Sequence, residues 1–78
     1  MNIQEKVVEI VAKKLGVEKE MVTPVASFTN DLGADSLDVM DIVCAFEEAF
    51  EISIPDEDTE KISNVQEAVS YLESKLSK

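Results

Sequence analysis

The segment that decides the fold is residues 33–50, which read GADSLDVMDIVCAFEEAF. Placed at about 100° per residue on a helical wheel, its apolar residues form one broad face: Val39, Ile42, Val43, Phe46 and Phe50. Asp35 is a favoured N-cap residue, and Asp38 in the first turn suits the positive end of a helix. The pattern predicts a helix from about Ser36 to Phe50, with this broad face in the core.

A second, narrower apolar stripe lies on the opposite side of the same predicted helix. This outer stripe consists of Leu37, Met40 and Cys44, at i, i+3 and i+7, and acidic residues lie beside it: Asp41, Glu47 and Glu48. Either the preceding loop folds over the stripe, or the stripe is an exposed docking surface. We favour docking, because an acidic rim suits a basic partner and would line a buried contact poorly.

Another amphipathic helix is predicted at the start of the chain. Asn2, with Glu5 three positions later, is typical of a helix start, and Gly16 supplies a stop signal. The apolar residues between them recur at helical spacing: Ile3, Val7, Ile10, Val11 and Leu15.

The stretch from Gly16 to Asp35 has no sustained period and contains Pro24 and Gly33. It keeps four apolar anchors: Val17, Val22, Phe28 and Leu32. Because long structureless loops are uncommon in compact domains unless they have a function, we expect a pinned, functional loop. A helical turn is predicted within it, near residues 18–22.

Two helical segments are predicted after the second helix. A short one follows Pro55, which can occupy a first helical position, and ends near Ile62. The last helix opens at Ser63 or Asn64, with Gln66 and Glu67 as capping-box partners. We expect it to bury Val65, Ala68, Val69, Leu72 and Leu76. The predicted fold class is therefore all-α: a small bundle of three long helices and one short helix, with a long loop between the first two.

Length and composition predict a small globular protein. The 78 residues allow one modest core, so we expect a single domain over residues 1–78. At 45% hydrophobic residues the chain is too apolar for a disordered segment, yet these residues are too dispersed for a membrane span. The N-terminus lacks the pattern of a secretory signal. We expect a soluble, cytoplasmic monomer that is not embedded in a membrane.

Charge and residue types exclude several functions. The formal net charge is -10, and no Lys or Arg occurs between Glu20 and Glu60. This argues against nucleic acid as a partner and favours basic proteins, although on charge alone we favour a solvated acidic surface that only confers solubility. With no histidine and one cysteine, the usual zinc ligands and a histidine-based triad are excluded. The acidic residues fit no calcium loop, so no metal site is expected.

Ser36 is predicted at the first position of the second helix, with its hydroxyl exposed. Unpaired N–H groups and the helix dipole make this position hospitable to an anion such as a phosphodiester. A serine here more often only caps the helix, so from the residue alone both interpretations stay open. No base or oxyanion site accompanies Ser36, and another enzyme would therefore have to modify it.

Residues 31–38, DLGADSLD, resemble the signature of acyl carrier proteins, with Asp35-Ser36-Leu37 at its centre. The likeness extends over essentially the whole chain, including residues 46–50 (FEEAF), residues 54–56 (IPD) and Ile62 before the last helix. The resemblance implies that Ser36 carries 4'-phosphopantetheine, installed from coenzyme A by a carrier-protein synthase (a phosphopantetheinyl transferase). The thiol of that arm would hold growing fatty acyl chains as thioesters and shuttle them between fatty acid synthesis enzymes. The protein would be a carrier and not an enzyme.

The resemblance also implies two sets of site residues. The recognition residues of the family correspond to Asp35, Leu37, Asp38, Met40, Asp41, Cys44, Glu47 and Glu48. The chain-holding cavity corresponds to Phe28, Val39, Phe46, Ile54, Ile62, Ala68 and Leu72. Implied partners are the synthase, and fatty acid synthesis enzymes and acyltransferases with basic docking patches.

Two positions depart from the family pattern. Many relatives carry a larger apolar residue such as Met where this chain has Cys44, and an acid is common where it has Ser53.

Two other functions are alternatives to fatty acid carriage. A non-covalent acidic adaptor would belong to a different class of function. Discrete carriers of polyketide, aminoacyl or D-alanyl groups share the fold and the modified serine. The run LGADSL and the acidic second helix favour fatty acid synthesis, by resemblance.

Overall fold

The computed structural model describes residues 2–76, and within them the helices occur in the predicted order. They are α1 (Ile3–Leu15), α2 (Ser36–Phe50), α3 (Asp56–Thr59) and α4 (Val65–Leu76), with one 3-10 turn at Lys19–Met21. An isolated antiparallel bridge joins Ser27 to Asn64. The all-α fold class, with three long helices and one short helix, is confirmed for these residues, and α2 has the predicted bounds.

The ends of α1 are set by Asn2 and Gly16. The Asn2 side-chain oxygen accepts a hydrogen bond from the Glu5 backbone N–H at 2.7 Å. Gly16 ends the helix in the left-handed region, at φ 67°, which glycine adopts without strain. Lys13 and Lys14 lie in the last turn, where cations complement the helix dipole. Both predicted ends are confirmed.

The core lies where α1 packs against both α2 and α4. Its largest fully buried side chains come from all three helices and the long loop: Phe28, Phe46, Ile42, Leu72, Val7, Val11 and Val65. The rings of Phe46 and Phe50 meet edge to face, with centroids 6.5 Å apart. The broad face of α2 is thus in the core as predicted, with Ile42, Val43 and Phe46 buried. Val39 and Phe50 are half-buried at its margins.

The long loop between α1 and α2 is fastened to the start of α4. The Phe28 N–H donates to the Ser63 carbonyl at 3.1 Å, and the Val65 N–H donates to the Ala26 carbonyl at 3.1 Å. The predicted apolar anchors lie in the core or pack against it: Val17, Val22, Phe28 and Leu32. The expectation of a pinned loop is confirmed, and the loop thereby positions the start of α2.

The expected ends of α3 and α4 need small corrections. Pro55 lies just before α3 in an extended conformation, not inside it, and the helix ends at Thr59 instead of near Ile62. Asn64 caps α4 by accepting a hydrogen bond from the Glu67 N–H at 2.8 Å.

The capping-box prediction for α4 was wrong for Gln66 and half right for Glu67. The Glu67 N–H donates to the Asn64 cap, but the Glu67 carboxylate accepts from Ser63, one residue before the cap. The Glu67 carboxylate accepts hydrogen bonds from the Ser63 N–H at 3.0 Å and the Ser63 hydroxyl at 2.6 Å, and these bonds lower the Glu67 pKa. The Gln66 N–H instead donates to the Pro24 carbonyl at 2.9 Å.

Leu76 is not buried, contrary to expectation. It lies one turn beyond Leu72 on the same face of α4, yet 40% of it is exposed, whereas Leu72 is fully buried. The apolar period therefore continues past the end of the core. The other four residues predicted for this face are buried: Val65, Ala68, Val69 and Leu72.

Candidate functional site

Ser36 is the first residue of α2, and it is exposed. The preceding turn uses Gly33 at φ 75°, a conformation that favours glycine. Ala34 is buried just before the helix, and its N–H donates to the Phe28 carbonyl at 2.8 Å. The turn and the buried alanine together fix the position from which the Ser36 side chain projects into solvent.

A neighbouring residue caps α2. The Asp38 N–H donates to the Asp35 carboxylate at 2.9 Å, and the Asp35 N–H donates to the Asp38 carboxylate at 3.3 Å. Both bonds of this capping box use the carboxylates, and neither uses the Ser36 hydroxyl. The interpretation in which Ser36 serves only as the cap is therefore wrong.

Two opposing electrostatic effects act at Ser36: the positive end of the helix dipole and the negative charge of two carboxylates. The N–H groups of Ser36 and Leu37 belong to the first turn, where a helix supplies no internal acceptor. They lie at the positive end of the helix dipole, which stabilises an anion by about 0.3–1 kcal/mol at an exposed site. Asp35 and Asp38 are already placed there. A phosphodiester on Ser36 would thus meet donors and a favourable dipole, together with two nearby carboxylates.

A cavity of about 360 Å³ opens beside Ser36. Apolar side chains supply much of its lining, with Phe28 and Ile62 buried and Val39 half-buried. The remaining lining comes from Ser36 itself and from Thr29, Met40, Thr59, Glu60 and Ser63. The arrangement places an exposed hydroxyl at the edge of a space that can accept an apolar chain.

The predicted cavity residues fall into two groups. Phe28, Val39 and Ile62 line the cavity. Four others are buried in the closed core and do not line it: Phe46, Ile54, Ala68 and Leu72. A chain entering beside Ser36 would reach the second group only if the helices parted. The sequence did not indicate four other lining residues: Thr29, Thr59, Glu60 and Ser63. The last three lie beside Ser36 because of how α3 and the turn after it pack.

A larger depression of about 600 Å³ lies along the first half of α1 and shares no lining residue with the cavity beside Ser36. Its lining is mainly polar and charged: Asn2, Gln4, Glu5, Val8, Glu9 and Lys19. With one apolar side chain, it is poorly suited to an acyl chain.

The outer stripe of α2 is exposed. Leu37 is 73% exposed and Met40 is 49% exposed, and Cys44 is exposed as well. The long loop does not cover them, so that alternative was wrong. Asp41 and Glu48 are exposed beside the stripe. The surface combines apolar side chains with carboxylates, as a docking site for a basic partner requires.

Glu47 has an internal partner that the sequence did not reveal. Its carboxylate accepts a hydrogen bond from the Ile54 N–H at 2.7 Å. This contact follows Glu51, the left-handed residue that ends α2 at φ 56°. Glu47 therefore fastens the segment that leads into α3, whether or not it also meets a partner protein.

A hydrogen bond joins α3 to α4. The Tyr71 hydroxyl donates to the Asp58 carboxylate at 2.6 Å. Burial, followed by this bond, raises the pKa of Tyr71 to about 12, and the same bond lowers the pKa of Asp58. Lys61 lies 3.3 Å from the other Asp58 oxygen.

Two features are absent from residues 2–76. No helix in that range is long and apolar enough to cross a membrane. The same residues contain no group of three or more His, Cys, Asp or Glu side chains placed to hold a metal ion.

The chain matches the model of a known protein family. The family model described as "Phosphopantetheine attachment site" matches residues 5–72, most of the chain. The matched range includes most of α1, all of α2 and α3, the cavity beside Ser36 and most of α4.

Proposed function

The chain belongs to the phosphopantetheine attachment family, and we propose that it is an acyl carrier protein of fatty acid synthesis, with the prosthetic group on Ser36. Domains of this family are the sites of 4'-phosphopantetheine attachment, are modified by phosphopantetheinyl transferases and are generally non-catalytic. The choice of Ser36 and of fatty acyl cargo is our proposal. So is a single carrier domain over residues 1–78 that acts as a cytoplasmic monomer.

The observation that carries the proposal is the position of the Ser36 hydroxyl. It is exposed at the first turn of α2, where Asp35 and Asp38 already form the cap. Ser36 also lines the cavity, together with Phe28, Val39 and Ile62. The residues present fit the prosthetic group, because a phosphodiester would lie at a helix N-terminus and an attached chain would lie beside an apolar space. When bound, the group supplies a terminal thiol that forms thioesters with acyl chains.

Loading needs a partner enzyme. In the transfer from coenzyme A, a bond forms between the Ser36 oxygen and phosphorus, and a phosphorus–oxygen bond of the pyrophosphate breaks. Adenosine 3',5'-bisphosphate leaves, and the hydroxyl proton passes to a base of the transferase. The chain offers no histidine for that task, and the nearest carboxylates, Asp35 and Asp38, are engaged in the cap.

The cavity gives the protein a role beyond attachment of the prosthetic group. Each methylene removed from water is worth about 0.8 kcal/mol, so an eight-carbon chain gains roughly 6 kcal/mol on full burial. Phe28, Val39 and Ile62 supply the apolar contact at the entry. A longer chain would need the core around Phe46 and Leu72 to part. Sequestration of this kind protects a thioester until a partner offers a comparable apolar site.

Delivery is proposed to use the outer stripe and its acids. Leu37 is exposed directly after Ser36 and Met40 is exposed about one turn further on, so a partner that docks there brings its active site to the prosthetic arm. Asp41 and Glu48 would pair with basic side chains of that partner. Such charges chiefly speed encounter and exclude wrong partners, which suits a carrier that must leave each enzyme quickly.

Mass spectrometry of the protein isolated from its host tests the cargo. A fatty acid carrier should show a phosphopantetheine-bearing Ser36 peptide with acyl groups that differ by two-carbon steps. A single aminoacyl or D-alanyl group would instead identify a specialised carrier and overturn the fatty acid assignment. A permanently bare Ser36 would leave a non-covalent acidic adaptor, whose binding to basic proteins would persist in a Ser36→Ala variant.

A further inference from the structure

One wall of the cavity beside Ser36 belongs to a weakly anchored segment. Thr59 and Glu60 lie at the end of α3, and Ile62 and Ser63 follow in the turn before α4. The four residues of α3 bury no side chain. The hydrophobic contacts that hold the longer helices are therefore missing from α3.

Contacts with the rest of the protein hold this segment on both sides of α3. Before α3, Ile54 is buried and its N–H donates to Glu47. After α3, Ile62 is buried and the Ser63 carbonyl accepts a hydrogen bond from Phe28. Between these two anchors, residues 56–61 need another contact to stay against the bundle.

The side chain of Asp58 supplies that contact. Its carboxylate accepts the hydrogen bond from Tyr71 at 2.6 Å, and Tyr71 is half-buried on α4. The other hydrogen bond made by an α3 side chain stays within the segment, since the Thr59 hydroxyl donates to the Asp56 carbonyl. Lys61 approaches Asp58 from the same segment, so this ion pair does not tie α3 to another helix.

We propose that the Asp58–Tyr71 hydrogen bond is a latch that holds residues 56–61 in place as a wall of the cavity, and that its breaking opens the cavity beside Ser36. The bond is suited to this because it is charge-assisted and short, yet lies near the surface, where water can replace it. Its role in chain entry rests on the proposed function. The latch itself is a property of the unmodified chain and can be tested there.

Hydrogen exchange in the unmodified full chain is the first test. The reporters are the N–H groups of Asp58 and Thr59, which donate to the Pro55 carbonyl, and that of Lys61, which donates to the Asp58 carbonyl. In Tyr71→Phe, which removes only the hydroxyl, these amides should exchange about tenfold faster, as expected for loss of one hydrogen bond to a charged group. After correction for any change in global stability, the core amides of α1 and α2 should exchange as in wild type.

Two more variants make this test specific. Asp58→Asn retains an acceptor without charge and should give a smaller acceleration of the same amides. Lys61→Gln removes the ion pair but not the latch and should change exchange less than twofold. Unchanged exchange at α3 in Tyr71→Phe would overturn the proposal, as would equal acceleration across α2, α3 and α4, since that pattern indicates general destabilisation.

A second test uses protein loaded with an octanoyl-phosphopantetheine group. If the latch closes the cavity over the chain, hydroxylamine should cleave the thioester of Tyr71→Phe several-fold faster than that of wild type. Equal cleavage rates would overturn the link between latch and cavity. If Ser36 is not the attachment residue, the loaded Ser36 peptide will not be found even in wild type, and the exchange result on unmodified protein will still decide the latch.

Discussion

The Asp35 carboxylate and the Asp38 backbone N–H form a hydrogen bond of 2.9 Å that caps α2 directly beside an exposed Ser36. The reciprocal bond, from the Asp35 N–H to the Asp38 carboxylate, is longer at 3.3 Å. Capping and presentation of a hydroxyl are thus assigned to adjacent residues. Ser36 can be changed chemically without removing the contacts that begin the helix.

Removing the cap should cost stability. Asp35→Ala deletes the acceptor for the Asp38 N–H and should lower the free energy of unfolding by about 1 kcal/mol. Asp35→Asn keeps an acceptor at the same place and should cost less. Urea unfolding followed by circular dichroism measures both variants. Equal losses for alanine and asparagine would contradict a capping role.

Glu47 should behave differently from its exposed neighbour Glu48. Glu47→Ala removes the acceptor of the Ile54 N–H and should lower the free energy of unfolding by about 1–2 kcal/mol, while Glu48→Ala should change it by less than about 0.5 kcal/mol. Urea unfolding gives the free energies, and exchange of the Ile54 amide reports the local contact. A Glu47 variant as stable as the Glu48 variant would mean that the 2.7 Å contact contributes nothing.

The phenol of Tyr71 should ionise unusually late. Its pKa is raised to about 12 in the folded protein, against an ordinary value of 10.0, by burial and then by the Asp58 carboxylate. A raised folded pKa means that this contribution to stability is complete below pH 10 and is lost as the pH rises through 12. Tyr71 is the sole tyrosine, so ultraviolet absorbance of tyrosinate follows it directly. A folded-state midpoint near 10, equal to that in urea, would contradict the structure.

Charge reversal beside the outer stripe should slow docking. Asp41→Lys and Glu48→Lys should each lower kcat/KM of a phosphopantetheinyl transferase about tenfold at low salt, because rim charges act on the rate of encounter. The difference from wild type should shrink at high salt as charges are screened. Glu73→Lys on α4 makes the same change in net charge at another exposed site. Equal effects of all three variants would show that only net charge matters, and not the proposed surface.

Local patterns in the sequence were enough to predict most of the fold. The cap at Asp35, the stop at Gly16 and the apolar period of α2 involve residues within one or two helical turns, where spacing determines geometry. The exposure of Leu37 and Met40 followed from the same period. These predictions succeeded because each depends on neighbours along the chain.

Contacts between distant segments were not predictable in this way. Glu47 was placed only among the acids beside the outer stripe, since its bond to Ile54 depends on the left-handed turn at Glu51. The Asp58–Tyr71 bond joins residues thirteen positions apart and depends on how α3 lies on α4. Leu76 shows the converse limit, because periodicity predicts a face but not where the core ends.

The central claim is that Ser36 accepts the phosphopantetheinyl group, and peptide mapping after loading tests it most directly. Purified protein is incubated with coenzyme A and a transferase, and the modified peptide is located by mass spectrometry. Wild type and Ser53→Ala, a change at another exposed serine, should gain one phosphopantetheinyl group on the peptide that contains Ser36. Ser36→Ala should gain none while its circular dichroism stays that of a folded helical protein. Modification of the folded Ser36→Ala variant, or a wild-type group found on any other residue, would contradict the account.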